Sequence, residues 1–101
     1  MAFVKVGKAE EIPPGAAKVY EVGDRAIAVC NVDGSYYAID DVCTHDEGSL
    51  EQGELDGFEI ECPRHGARFD VRTGEVIALP AVIAIDTFSV RVEGGDIEIE
   101  L

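Results

Sequence analysis

Four residues in this chain have the types and spacing to hold a metal. Cys43-Thr44-His45 is followed, after sixteen intervening residues, by Cys62-Pro63-Arg64-His65. The chain has three cysteines and two histidines, and both histidines fall in these segments. Each segment supplies one thiolate and one imidazole, so together they make a complete set for a soft or borderline metal. Three arrangements compete. Two cysteines can hold one iron of a 2Fe–2S centre while two histidines hold the other. A structural zinc also accepts two cysteines and two histidines, although such modules usually group a cysteine pair and a histidine pair, whereas each segment here mixes the types. The third is a Cys43–Cys62 disulfide, or free thiols, beside two unrelated surface histidines.

The elements that must position these segments read as strands. Apolar and polar residues alternate, and no amphipathic helix is apparent. Strands are expected over 3–6, 17–22, 25–32, 36–40, 58–62, 67–71, 75–78, 85–92 and 97–101, nine or ten in all with short extensions. Gly23-Asp24, Asp33-Gly34, Asp56-Gly57, Arg72-Thr73-Gly74 and Gly94-Gly95 supply the turns. Residues 10–15 read as a loop, and 41–53 and 63–66 as the two polar loops bearing the candidate ligands. A third loop begins at Leu79-Pro80-Ala81. Strands this short and frequent predict an all-β antiparallel sandwich or small barrel. There is no internal repeat or linker.

Composition narrows the function further. With 101 residues the chain is a single small domain, 1–101, that a bound metal centre would help to stabilise. Eight Lys and Arg against 21 Asp and Glu give a net charge of −13. Such a field repels nucleic acid and anionic membranes and steers the protein toward basic surfaces. No run approaches the roughly 18 apolar residues of a membrane span. The N-terminal residues lack a basic-then-apolar signal pattern, so the expectation is a cytoplasmic protein. Cys30, inside the apolar run 26–32, is expected to be a buried small hydrophobe. Tyr20, Tyr36 and Tyr37 are expected to pack in strands. Arg64 and the acidic Asp46 and Glu47 read as solvated loop residues, with Arg64 the better placed to touch a partner.

Cys43-Thr44-His45 and Cys62-Pro63-Arg64-His65-Gly66 resemble the two cluster-binding boxes of Rieske proteins. Residues Arg68-Phe69-Asp70-Val71-Arg72-Thr73-Gly74 resemble the continuation found in Rieske ferredoxins of bacterial aromatic-ring dioxygenases. The likeness spans nearly the whole chain. It implies the Rieske fold, with a cluster-binding subdomain at about 41–81 inserted between outer strands. It also implies one 2Fe–2S cluster bound by Cys43, His45, Cys62 and His65, with both imidazoles near the surface and 79–81 as a covering proline loop. Two thiolates and two neutral imidazoles leave the oxidised unit about neutral, and this raises its potential above that of an all-cysteine cluster. Gly48 and Gly66 read as turn glycines that would also let backbone approach the cluster.

High-potential Rieske proteins carry an extra cysteine in each box, joined as a disulfide. The matching positions here are Gly48 and Arg64. Those proteins also place a serine and a tyrosine hydroxyl near the cluster sulfurs, where this chain has Ala67 and Phe69. The resemblance therefore implies a disulfide-free centre toward the low end of the roughly −150 to +300 mV Rieske range.

A Rieske oxygenase needs a second iron, usually held by two histidines and a carboxylate, and no histidine remains here. The expectation is a monomeric electron carrier and not an enzyme. It would take single electrons from a flavin-dependent ferredoxin reductase and pass them to a terminal oxygenase through basic docking surfaces. A Rieske-type small subunit, or a partner of another oxidoreductase such as nitrite reductase, is the alternative.

Overall fold

The apolar run at 26–30 has no polar face to turn outward, so it must lie in a layer covered on both sides. The structure, a computed structural model, describes residues 2–41, 50, 53–63, 66–79 and 83–100. These include eleven strands: β1 (Phe3–Lys8), β2 (Ala17–Val22), β3 (Arg25–Val32), β4 (Ser35–Asp40), β5 (Leu55–Asp56), β6 (Glu59–Glu61), β7 (Arg68–Asp70), β8 (Val76–Ala78), β9 (Thr87–Phe88), β10 (Val90–Glu93) and β11 (Asp96–Glu100). They form three antiparallel sheets, ordered β1-β11-β10, β2-β3-β4-β9 and β5-β6-β7-β8.

The middle sheet feeds two cores through the two-residue period of β3. Ile27 and Val29 pack with Ile12, Ala38, Ile97 and Ile99 on the side of the β1-β11-β10 sheet. Ala28, Cys30 and Val32 face the other way, against Ile39, Leu50, Ile60, Cys62, Ala67, Phe69, Val71 and Ile85. The β3–β4 hairpin turns on Asp33 (φ 51°) and Gly34 (φ 90°), the pair of positive φ values that suits the strand twist. Buried Asn31 braces this hairpin, donating to the Ile12 carbonyl (2.7 Å) and accepting from the Gly34 amide (2.8 Å). Tyr36 donates to the Ala9 carbonyl (3.1 Å), and Tyr20 donates to Glu11 (3.1 Å). Tyr37 meets Phe58 edge-on, with ring centroids 5.9 Å apart. All three tyrosines pack as expected.

The four-stranded β5–β8 sheet is inserted between β4 and β9. Those two strands pair, Ala38 with Phe88 and Ile39 with Thr87, so the chain leaves and rejoins the middle sheet at one place. Three expectations need correction. The strand expected over 85–92 is broken. Ile85 donates to the Gly74 carbonyl (2.9 Å), β9 joins the middle sheet, and β10 joins β11. The chain changes sheets at Ser89, whose carbonyl accepts from Glu100 (2.9 Å). A two-residue strand, β5, lies in the region read as loop and turn, held by its pairing with β6. The loop expected at 10–15 overlaps a single 3-10 turn at Ala9–Glu11, closed by the Glu11 carboxylate on the Lys8 amide (2.9 Å). None of these pairings leaves a local sequence signal.

Candidate metal centre

The second box is built by a hairpin. In the β6–β7 ladder Ile60 stands opposite Phe69 and Glu61 opposite Arg68. Ile60 and Phe69 are both fully buried, and the period of two carries Cys62 and Ala67 to the same side. Cys62 therefore enters the core at the head of the hairpin, only 1% exposed. Its amide donates to the Ala67 carbonyl (2.6 Å), and its carbonyl accepts from the Gly66 amide (3.1 Å). Gly66 has φ 79°, the left-handed conformation that lets the chain reverse at this point. Arg64 and His65 lie outside the described residues.

The first box leaves the middle sheet at the end of β4. The Asp41 amide donates to the Ala26 carbonyl (3.0 Å), continuing the sheet one residue beyond β4. Its carboxylate is buried and accepts the Leu50 amide (2.9 Å). The segment between them, with Cys43, His45, Asp46, Glu47 and Gly48, lies outside the described residues, as do Pro80 and Ala81 of the third loop. Leu50 is fully buried in the core that contains Cys62. Leu50, after the first box, and Cys62 of the second thus share one packed core.

The two described cysteines differ in their surroundings. Cys30 lies inside the middle sheet, where burial first and the nearby Asp41 charge second push its thiol up to about 12. It stays a neutral thiol at physiological pH, in keeping with its expected role. Cys62 is also a free cysteine. It sits at a turn beside the second histidine of the sequence and not inside a ladder. An unpaired thiol at the head of a hairpin, next to a glycine that lets the backbone approach closely, suits a ligand whose proton leaves when the metal binds. The described part of the donor set therefore fits a 2Fe–2S group.

Charged side chains ring the outside of this hairpin. Arg68 lies within 3.4 Å of Glu59 and Glu61 and 3.9 Å of Asp56. Asp70, on the same strand, accepts from Arg72 at its amide (2.8 Å), Nε (3.1 Å) and Nη2 (2.8 Å). Those hydrogen bonds hold its carboxyl below the usual range. The Arg72 guanidinium lies 4.0 Å from the Phe58 ring centroid. Nothing in the sequence alone marks Asp41 or Gly53. An aspartate at a strand–loop junction reads as a turn former, and neither its burial nor its partner nine residues away is a local property.

A model of the Rieske [2Fe-2S] domain matches residues 2–89. The chain belongs to the Rieske family of 2Fe–2S domains. The ferredoxin component of biphenyl 2,3-dioxygenase from Rhodococcus jostii is 40% identical over 101 residues, covering 100% of this chain and 94% of that protein. A chain from the solved complex of reduced oxygenase and oxidized ferredoxin in carbazole 1,9a-dioxygenase is 38% identical at a TM-score of 0.90. It covers 96% of this chain, which covers 91% of it. A protein named for the small subunit of an NADPH nitrite reductase is 15% identical, with a TM-score of 0.86 over 100% of both chains; it shares the fold alone. Among the described residues, no helix is long and apolar enough to cross a membrane.

Proposed function

We propose that this chain is a Rieske ferredoxin that takes single electrons from a flavin-dependent reductase and delivers them to the terminal oxygenase of an aromatic-ring dioxygenase system. One observation carries the reading: the end-to-end likeness to a dioxygenase ferredoxin component, at 40% identity. The likeness to a chain from an oxygenase–ferredoxin complex supports the oxygenase as the electron's destination. Cys43 and Cys62 would hold one iron, His45 and His65 the other. The subdomain at about 41–81 would form the working tip of a single, monomeric, cytoplasmic domain.

When bound, a 2Fe–2S cluster gains and loses one electron at a time. The chain's own residues supply the rest. Cys62 offers its sulfur from a core that excludes water, and the Ala67 carbonyl and Gly66 amide fix the backbone on either side of it. Glu59, Glu61 and Asp56 surround a single guanidinium, so this hairpin keeps the negative sign of the whole molecule. That sign suits basic docking surfaces on both partners.

Low-temperature EPR of the dithionite-reduced protein tests the ligand set. A rhombic signal with average g below the free-electron value is expected, and an EPR-silent zinc protein would overturn it. Reconstitution with a dioxygenase reductase and oxygenase tests the role. Turnover that requires this chain supports the carrier reading, and turnover unaffected by omitting it argues against the assignment.

A further inference from the structure

Asp41, Leu50 and Gly53 link the end of β4 to the backbone just before Cys62 by a series of contacts. The Asp41 carboxylate takes the Leu50 amide at 2.9 Å, so the segment carrying Cys43 and His45 leaves and returns at one point. The Leu50 carbonyl in turn takes the Gly53 amide at 3.0 Å. A Cβ placed on Gly53 would collide with the Glu61 carbonyl oxygen and would stand 3.2 Å from the Leu50 carbonyl oxygen. Space alone requires glycine here, because the exit of the first segment lies directly on the backbone preceding Cys62. The next residues lock that contact, with the Glu61 amide donating to the Glu54 carbonyl (2.9 Å). The Leu50 side chain meanwhile fills the core that holds Cys62, Ala67 and Phe69.

We infer that Asp41, Leu50 and Gly53 are positioning residues forming a strut that sets the separation between the Cys43–His45 and Cys62–His65 segments. This rests on the ligand reading above. Four ligands on two loops hold a cluster well only if the loops are spaced before it binds, and groups behind the ligands commonly carry that task. Asp41 fits because its carboxylate is buried in the protein and its bond spans the base of the whole first segment. Gly53 fits because any side chain there would force the two segments apart.

The test uses the cluster-loaded protein. Iron release to a chelator is timed for the wild type, Asp41→Ala, Asp41→Asn and Gly53→Ala. Asn31→Ala serves as a protein weakened elsewhere, in the β3–β4 hairpin. EPR is recorded on each reduced sample. A wild type without the rhombic signal overturns the ligand reading, and the strut with it. With that signal present, Asp41→Ala and Gly53→Ala should lose iron about 10–100-fold faster and show shifted g values. Asp41→Asn, whose amide oxygen can still accept the Leu50 amide, should lose iron more slowly than Asp41→Ala. Asn31→Ala should keep wild-type release and g values. Should Asp41→Ala fail to fold, Gly53→Ala against Asn31→Ala decides. Wild-type release and g values in Gly53→Ala, or equal losses in both variants, overturn the strut and leave the ligand reading standing.

Discussion

Cys62 and Ala67 face each other across the head of the β6–β7 hairpin, the cysteine amide donating to the alanine carbonyl at 2.6 Å. Ala67 is fully buried, as is Phe69 two residues later on the same face. Two positions beside the cysteine that could each present a hydroxyl therefore present only hydrocarbon. With no hydroxyl donor there, a reduced, more negative centre is less stabilised.

The midpoint potential should accordingly fall below about +100 mV, in the lower part of the Rieske range. Ala67→Ser combined with Phe69→Tyr should raise it. Spectroelectrochemical titration of both proteins checks this, and an unchanged or lowered potential in the double variant would count against the argument.

The cysteines should separate cleanly. Cys62→Ser should abolish the rhombic EPR signal. Cys30→Ala should keep it, costing only about 1–2 kcal/mol of stability through lost core volume. Signal loss in Cys30→Ala would show that the burial that pushes its thiol up to about 12 does not keep it out of the metal chemistry.

Asp70 makes stability depend on acid. Hydrogen bonds from Arg72 hold its carboxyl below the usual range in the folded chain. Its contribution is therefore complete above the unfolded carboxylate value of about 4 and is lost as pH falls through the lower folded value. Asp70→Asn should cost about 1 kcal/mol at neutral pH, and the gap to wild type should close in acid. Chemical denaturation at a series of pH values measures this; a gap that persists in acid would assign the loss to packing instead.

Two glycines with positive φ should respond differently to alanine. Gly74 (φ 81°) is buried against the Ile85 carbonyl, where a Cβ would collide, while Gly94 (φ 57°) has open space around it. Gly74→Ala should cost about 3 kcal/mol and Gly94→Ala about 1 kcal/mol. Thermal melts of the two variants rank them, and equal costs would mean that the approach of Ile85 is not tight in solution.

A net charge of −13 should make electron exchange with both partners fall as salt rises, since exposed charges are screened within about 10 Å at 0.1 M. Stopped-flow reduction over a salt series tests this, and salt-independent rates would remove electrostatic steering from the account.

Much of the molecule is legible without coordinates because its signals are local. The Asp33-Gly34 and Gly94-Gly95 turns, the buried run at 27–32 and the alternation at 97–101 each follow from a few adjacent residues. The two mixed Cys/His segments are equally local and carry the resemblance to the family on their own. The break at Ser89, by contrast, is invisible in an alternating run, because alternation says which side chains are buried and not which sheet accepts the strand.

What the sequence by itself determined is the all-β class, the supply of two cysteines and two histidines in two mixed segments and the want of a third histidine, since each depends on residue type and short spacing. What only the tertiary structure decided is how the end of β4 and the backbone before Cys62 come to share one core. The Asp41 carboxylate is buried against the Leu50 amide, and Gly53 yields its space to the Glu61 backbone. Those relations join residues eight or nine positions apart through a shared core, and close packing of the whole chain, not any local preference, selects them.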